Sequence, residues 1–138
     1  MALDPETHPR LAAAAQRLTA VLVFDSRMQQ SLGGARDAAS GSVQYVFQAG
    51  GASIDLLCDP EDRAWWITGQ AVVLDSVPPG AIAGWKVITR PPAAVQAVET
   101  DELGMFVLPA VPPGDYELLL SDGQHEIVLP NVELAATY

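Results

Sequence analysis

Few groups in this chain have the type and spacing for chemistry. Asp59, Glu61 and Asp62 crowd around Pro60, and hard cations such as calcium take carboxylate oxygens. Three carboxylates in one turn lack the further ordered ligands of a recognised calcium loop, so they read as turn residues and no metal is expected. Asp101 and Glu102 are adjacent carboxylates, but acid–base work needs a pocket and a raised pKa, and a turn is the simpler role. Cys58 is the only thiol. It follows Ile54, Leu56 and Leu57, and neither His8 nor His125 is near it in sequence, so it reads as a small buried hydrophobe rather than a nucleophile. His125, beside Glu126, reads as an exposed residue near a hairpin with no special role. No catalytic residue, cofactor or metal is expected, and the protein is not expected to be an enzyme.

The segments around these groups have stronger signals. From Thr100 to Leu120 the chain has Thr-Asp-Glu-Leu-Gly-Met-Phe, then Leu-Pro-Ala-Val-Pro-Pro-Gly-Asp-Tyr, then an apolar run. Pro113 and Gly114 suit the two central positions of a type II turn, so the chain should reverse there. Tyr116, Leu118 and Leu120 then share one face of a strand, and a Tyr opening such a strand can bury its ring and hydrogen-bond back to the backbone, as a tyrosine corner does. Residues 101–104 form the preceding turn, with Gly104 free to adopt a conformation closed to residues bearing Cβ.

Elsewhere the pattern predicts a short helix ending near Leu18, capped by Thr7 or His8, with Pro9 in its first turn and Leu11, Ala14, Ala15 and Leu18 on one face. The run at 20–24 suits a strand covered on both faces. Residues 25–42 are polar and Gly-rich, the longest expected loop, and read either as a contact surface or as an ordinary flexible connection. Residues 42–49 alternate, Gly50-Gly51 marks a hairpin, and 53–59 return. Further strands are expected at 64–74, 85–90, 95–100, 104–108, 115–121, 124–129 and 131–134, with Pro91-Pro92 ending one of them. Trp65 and Trp66 must point to opposite faces. The one outside the core either lies beneath residues 1–40, the simpler expectation, or stands exposed as an interface anchor.

The chain has 138 residues, 49% hydrophobic and 17% charged, which suits one globular all-β antiparallel sandwich with a short N-terminal helix and extra N-terminal strands. Neither a signal-like apolar start nor a run of about 20 apolar residues is present, so a cytoplasmic location is expected. The net charge is −10, and from Pro91 onward there are acidic residues but no Lys or Arg. That third reads as an acidic surface without internal counter-ions, which would repel nucleic acid and membranes and either attract a basic protein surface or, the simpler expectation, serve as a solvated, solubilising outer face. Glu117, Glu126, Glu133 and Trp66 are the candidate partner-binding residues.

Thr100-Asp101-Glu102, Gly104, Phe106, Pro112-Pro113-Gly114 and Tyr116, with Thr68-Gly69-Gln70-Ala71-Val72 and Ala81-Ile82-Ala83-Gly84-Trp85-Lys86-Val87 upstream, resemble the carboxypeptidase regulatory-like domain, a transthyretin-like (prealbumin) sandwich. The resemblance covers roughly 64–134 and implies a seven-stranded Greek-key module for folding, spacing or interaction, with 1–63 adding a helix and strands to the same single domain. Transthyretin-fold hydrolases need a His and Arg cluster and a particular C-terminal tail, whereas this chain ends Ala-Ala-Thr-Tyr. Residues 18–68 more weakly resemble the N-terminal half of small bacterial proteins encoded near sigma factors, anti-sigma factors or caspase-like proteases. Together these imply a regulatory or protein-interaction module docking on a basic surface of such a partner. The competing reading is a structural or extracytoplasmic surface module.

Overall fold

The structure is a computed structural model that describes residues 17–28, 41–75, 78–90 and 97–136. The described strands are β1 (Arg17–Thr19), β2 (Val21–Asp25), β3 (Val43–Ala49), β4 (Ala52–Glu61), β5 (Ala64–Val73), β6 (Gly80–Ala81), β7 (Lys86–Arg90), β8 (Ala97–Glu99), β9 (Met105–Val111), β10 (Gly114–Ser121) and β11 (Glu126–Leu134). They form an all-β sandwich. The first sheet runs β1-β11-β10-β7-β8, and the second runs β2-β3-β4-β5, with β6 and β9 sharing the far edge of β5. All neighbours are antiparallel except β1, which lies parallel to β11. The expected N-terminal helix lies outside the described residues apart from Leu18, which belongs to β1.

Alternation builds the core. Tyr45 and Phe47 of β3, Ile54, Leu56 and Cys58 of β4, and Ile67 of β5 face Val87, Leu118, Leu120 and Leu129 of the other sheet, all fully buried. Gly69 is part of this packing, because the Phe106 ring lies across it where a Cβ would come within 2.1 Å. A strand glycine here marks a close approach.

The turns follow their residues. Gly50 opens the β3–β4 hairpin at φ 57. Asp62 and Arg63 link β4 to β5 with φ of 54 and 67, the positive pair that a type I′ turn demands. Residues 53–59 are thus the middle of a longer strand, and β7 ends at Arg90, just before Pro91.

Several expectations need correction. The turn at 101–104 forms as expected, with the Gly104 amide donating to the Asp101 carbonyl at 2.9 Å and Gly104 at φ 78, but both it and the connection at 112–114 are arches between sheets: β8 and β10 belong to the first sheet, β9 to the second. Gly114 has φ 155, well beyond a type II turn. The Tyr116 hydroxyl donates to the Pro112 carbonyl at 2.7 Å with its ring buried, so the tyrosine corner spans the second arch. The run at 20–24 is not covered on both faces. As β2 it is an edge strand paired to β3, with Val21 and Val23 63% and 50% exposed. The strands expected at 124–129 and 131–134 are one, β11 over Glu126–Leu134, because Asn131 at φ 60 makes a bulge that returns Val132 to the core face after Leu129. Ala110 at φ 54 does the same for Val111 after Leu108.

Candidate functional site

The three candidate glutamates do not form a bare acidic patch. Arg90 on β7 meets Glu117 at 3.0 Å, Arg17 on β1 meets Glu126 at 2.8 Å, and Arg27 reaches Glu133 at 3.6 Å. The expectation of a surface without internal counter-ions is therefore wrong: register brings arginines from earlier in the chain against the acidic third. Exposed pairs of this kind add little stability, and they offset part of the negative charge that was to draw in a basic partner. Nor do the three come together, since Glu126 and Glu133 lie at opposite ends of β11, about 23 Å apart at strand rise.

Arg27 forms a denser knot. Its guanidinium grips the Asp25 carboxylate at 2.7 and 3.1 Å and lies 5.2 Å from the centre of the Tyr45 ring. The Arg27 hydrogen bonds hold the Asp25 carboxyl below its usual value against the opposing effect of burial. Tyr45 in turn donates to the Glu133 carbonyl at 2.8 Å, tying the two sheets together. Burial pushes its phenol up to about 12, with Arg27 and Glu133 pulling the other way. Of the expected long loop, residues 29–40 lie outside the described set, and residues 25–28 begin with this knot.

Trp66 stands elsewhere. Trp65 enters the core and donates its indole N–H to the Ala135 carbonyl at 2.8 Å, while Trp66 points out of the second sheet and is 40% exposed. Most of the residues expected to cover it, 1–16 and 29–40, lie outside the described residues. Leu57, Thr68 and Val107 form one register row across β4, β5 and β9, and Trp66 lies one outward position along β5, opposite Asp59. Leu57 and Val107 are each 44% exposed. Asp55 and Asp59 flank Leu57 on β4, bonded to Gln44 at 3.0 Å and to the Ser42 hydroxyl. The strands β2–β6 and β9 contain no Lys or Arg. The outer face of the second sheet is therefore apolar at its centre and acidic along one side.

The groups weighed for catalysis take structural places. Cys58 is fully buried, and desolvation, with the Asp59 charge adding to it, pushes its thiol up to about 12. The Asp101 carboxylate is engaged by the amides of Leu103 and Met105 at 2.8 and 2.9 Å, which shapes the first arch. Among the described residues, no three His, Cys, Asp or Glu side chains converge to hold a metal, and no helix is long and apolar enough to cross a membrane. No family model, curated protein or solved structure matches this chain. The surfaces themselves must therefore carry the functional reading.

His125 was undervalued. Asp122 accepts from the backbone amides of Gln124 and His125 at 2.8 and 2.7 Å, and its other oxygen lies 3.1 Å from the His125 Nδ1. Desolvation opposes ionisation, but these bonds hold the Asp122 carboxyl below its usual value. The imidazole stacks on Trp85, with 6.3 Å between centroids and 21° between planes. The Asp-Gly-Gln-His spacing was the available signal for the loop, as an Asp ahead of Gly favours such a turn; the approach of Trp85, on a different strand connection, had no sequence signal.

Proposed function

We propose that this protein is a non-catalytic interaction or regulatory module that docks a partner through the Trp66 face of its second sheet. The observation that carries this reading is the exposed Leu57–Trp66–Val107 cluster on a sheet whose strands hold acidic residues and no basic ones. Trp is favoured among residues that dominate binding energy, and its surroundings select a partner with an apolar ridge flanked by Lys or Arg. A basic surface of a sigma factor, an anti-sigma factor or a caspase-like protease in the cytoplasm is the partner class that the N-terminal resemblance suggests. The tyrosine corner and the two-sheet architecture support kinship with carboxypeptidase regulatory-like sandwiches. The inert Cys58 and the structural use of Asp101 support a non-catalytic role.

Binding of each purified candidate partner at low and high salt tests this. Trp66→Ala should weaken the complex about 30-fold, Leu57→Glu should abolish it, and added salt should slow association. Reversal of Glu117, Glu126 and Glu133 should matter far less, because all three lie on β10 and β11 of the other sheet. Affinity indifferent to Trp66→Ala and Leu57→Glu would defeat the proposal and leave the structural-module reading.

A further inference from the structure

The two ends of the sandwich are closed differently. At one end Tyr45, Trp65 and Tyr116 fasten side chains to backbone carbonyls of Glu133, Ala135 and Pro112. At the other end a cleft of about 410 Å³ opens between the sheets, walled by Ala49, Ala52, Val73, Ile82, Trp85 and Ile127. The hairpin sequence there, Ala49-Gly50-Gly51-Ala52, explains the space, since larger side chains would fill it. This volume suits a small molecule.

The rim is acidic. Asp75, Asp122, His125 and Glu126 line the cleft, and among the described residues no Lys or Arg does. Glu126 is matched by Arg17, and Asp122 is taken up by its own loop. Asp75 is uncommitted: among the described residues no hydrogen bond or ion pair holds it. Its carboxylate rests over Gly51, so closely that a Cβ there would lie 2.1 Å away. His125 faces an acceptor-only carboxylate through Nδ1, so its neutral ring keeps the hydrogen on Nδ1 and offers Nε2 as an acceptor.

We propose that this cleft binds a small organic amine, with its hydrocarbon or aromatic body against Trp85 and Val73 and its ammonium at the rim with Asp75 and His125. An anion would meet carboxylates, and a neutral apolar molecule would strip water from Asp75 without replacing it. An ammonium supplies hydrogen-bond donors for Asp75 and Nε2, and a charge that an indole face attracts.

Calorimetric titration of the full chain with phenethylamine, phenethyl alcohol and hydrocinnamate tests this, with NMR of the Trp85 indole and His125 ring locating the site. The amine should bind saturably, the alcohol about tenfold more weakly, and the carboxylate not at all. Asp75→Asn should lower amine affinity about tenfold while leaving the alcohol unchanged. Gly51→Ala, which crowds the Asp75 carboxylate but keeps its charge, should also weaken the amine; thermal melts check that both variants fold. Equal affinity for amine and alcohol, amine binding undiminished in Asp75→Asn, or shifts that never saturate would overturn the proposal.

Discussion

The Tyr116 hydroxyl sits 2.7 Å from the Pro112 carbonyl, with its ring sealed in the core. Tyr116→Phe removes only that bond and should cost about 1 kcal/mol, whereas Tyr116→Ala also empties a core site and should cost about 3–5 kcal/mol. Urea unfolding of both variants measures the difference, and an unchanged midpoint for Tyr116→Phe would mean that the clasp contributes nothing. This contact was legible in advance, because a Tyr opening an apolar strand a few residues after a Pro-rich arch has few other ways to satisfy its hydroxyl. Cys58 was legible for a similar reason, lying among aliphatic residues in strand register. With its thiol pushed up to about 12 inside the core, it should resist thiol reagents at neutral pH until denaturant opens the fold. Rapid labelling of the native protein would contradict that burial.

At the level of elements, two glycines separate conformational strain from steric strain. Gly84 at φ 77 has open space where a Cβ would go, whereas at Gly104, φ 78, a Cβ would lie 2.2 Å from the Ala71 carbonyl oxygen. Gly84→Ala should therefore cost only the left-handed penalty of about 1–2 kcal/mol. Gly104→Ala should cost clearly more in the same denaturation assay, because a backbone oxygen already bonded to the Ile82 amide cannot yield. Equal costs would refute the close approach. Strand positions were legible from period-two alternation and from Gly and Pro punctuation. Strand partners were less so: the Pro-Pro-Gly arch looks locally like a hairpin turn, and only pairing decides that β9 joins β5 while β10 joins β7 and β11. Asn131 and Ala110 were missed as bulges because the one three-residue step each leaves in the core pattern, Leu129 to Val132 and Leu108 to Val111, reads equally well as a break between strands.

The whole molecule has a pH window set by groups of opposite kind. Arg27 keeps the folded pKa of Asp25 below its unfolded value of about 3.9. That contribution to stability is present above pH of about 4 and is lost as pH falls through the lower folded value. Burial raises Tyr45 and Cys58 to about 12. Their contributions are present below unfolded values of about 10 and 8.5, and are lost as pH climbs toward the folded ones. Urea midpoints across pH should therefore form a plateau that falls at both ends, and Cys58→Ala should soften the alkaline fall. A midpoint that keeps rising above pH of about 10 would contradict the burial of both groups.

The chain by itself determined that apolar residues alternate into short strands, where glycine and proline interrupt them, and that one tyrosine closes on its own arch. These follow from forces acting within a few residues: dihedral preference, side-chain period and local hydrogen bonding. The tertiary structure alone decided that Arg17, Arg27 and Arg90 would meet Glu126, Glu133 and Glu117, that Trp66 would stand outside, and that His125 would meet Trp85 at an open end. Each depends on the register between strands distant in sequence, where a shift of one residue exchanges the buried face for the exposed one.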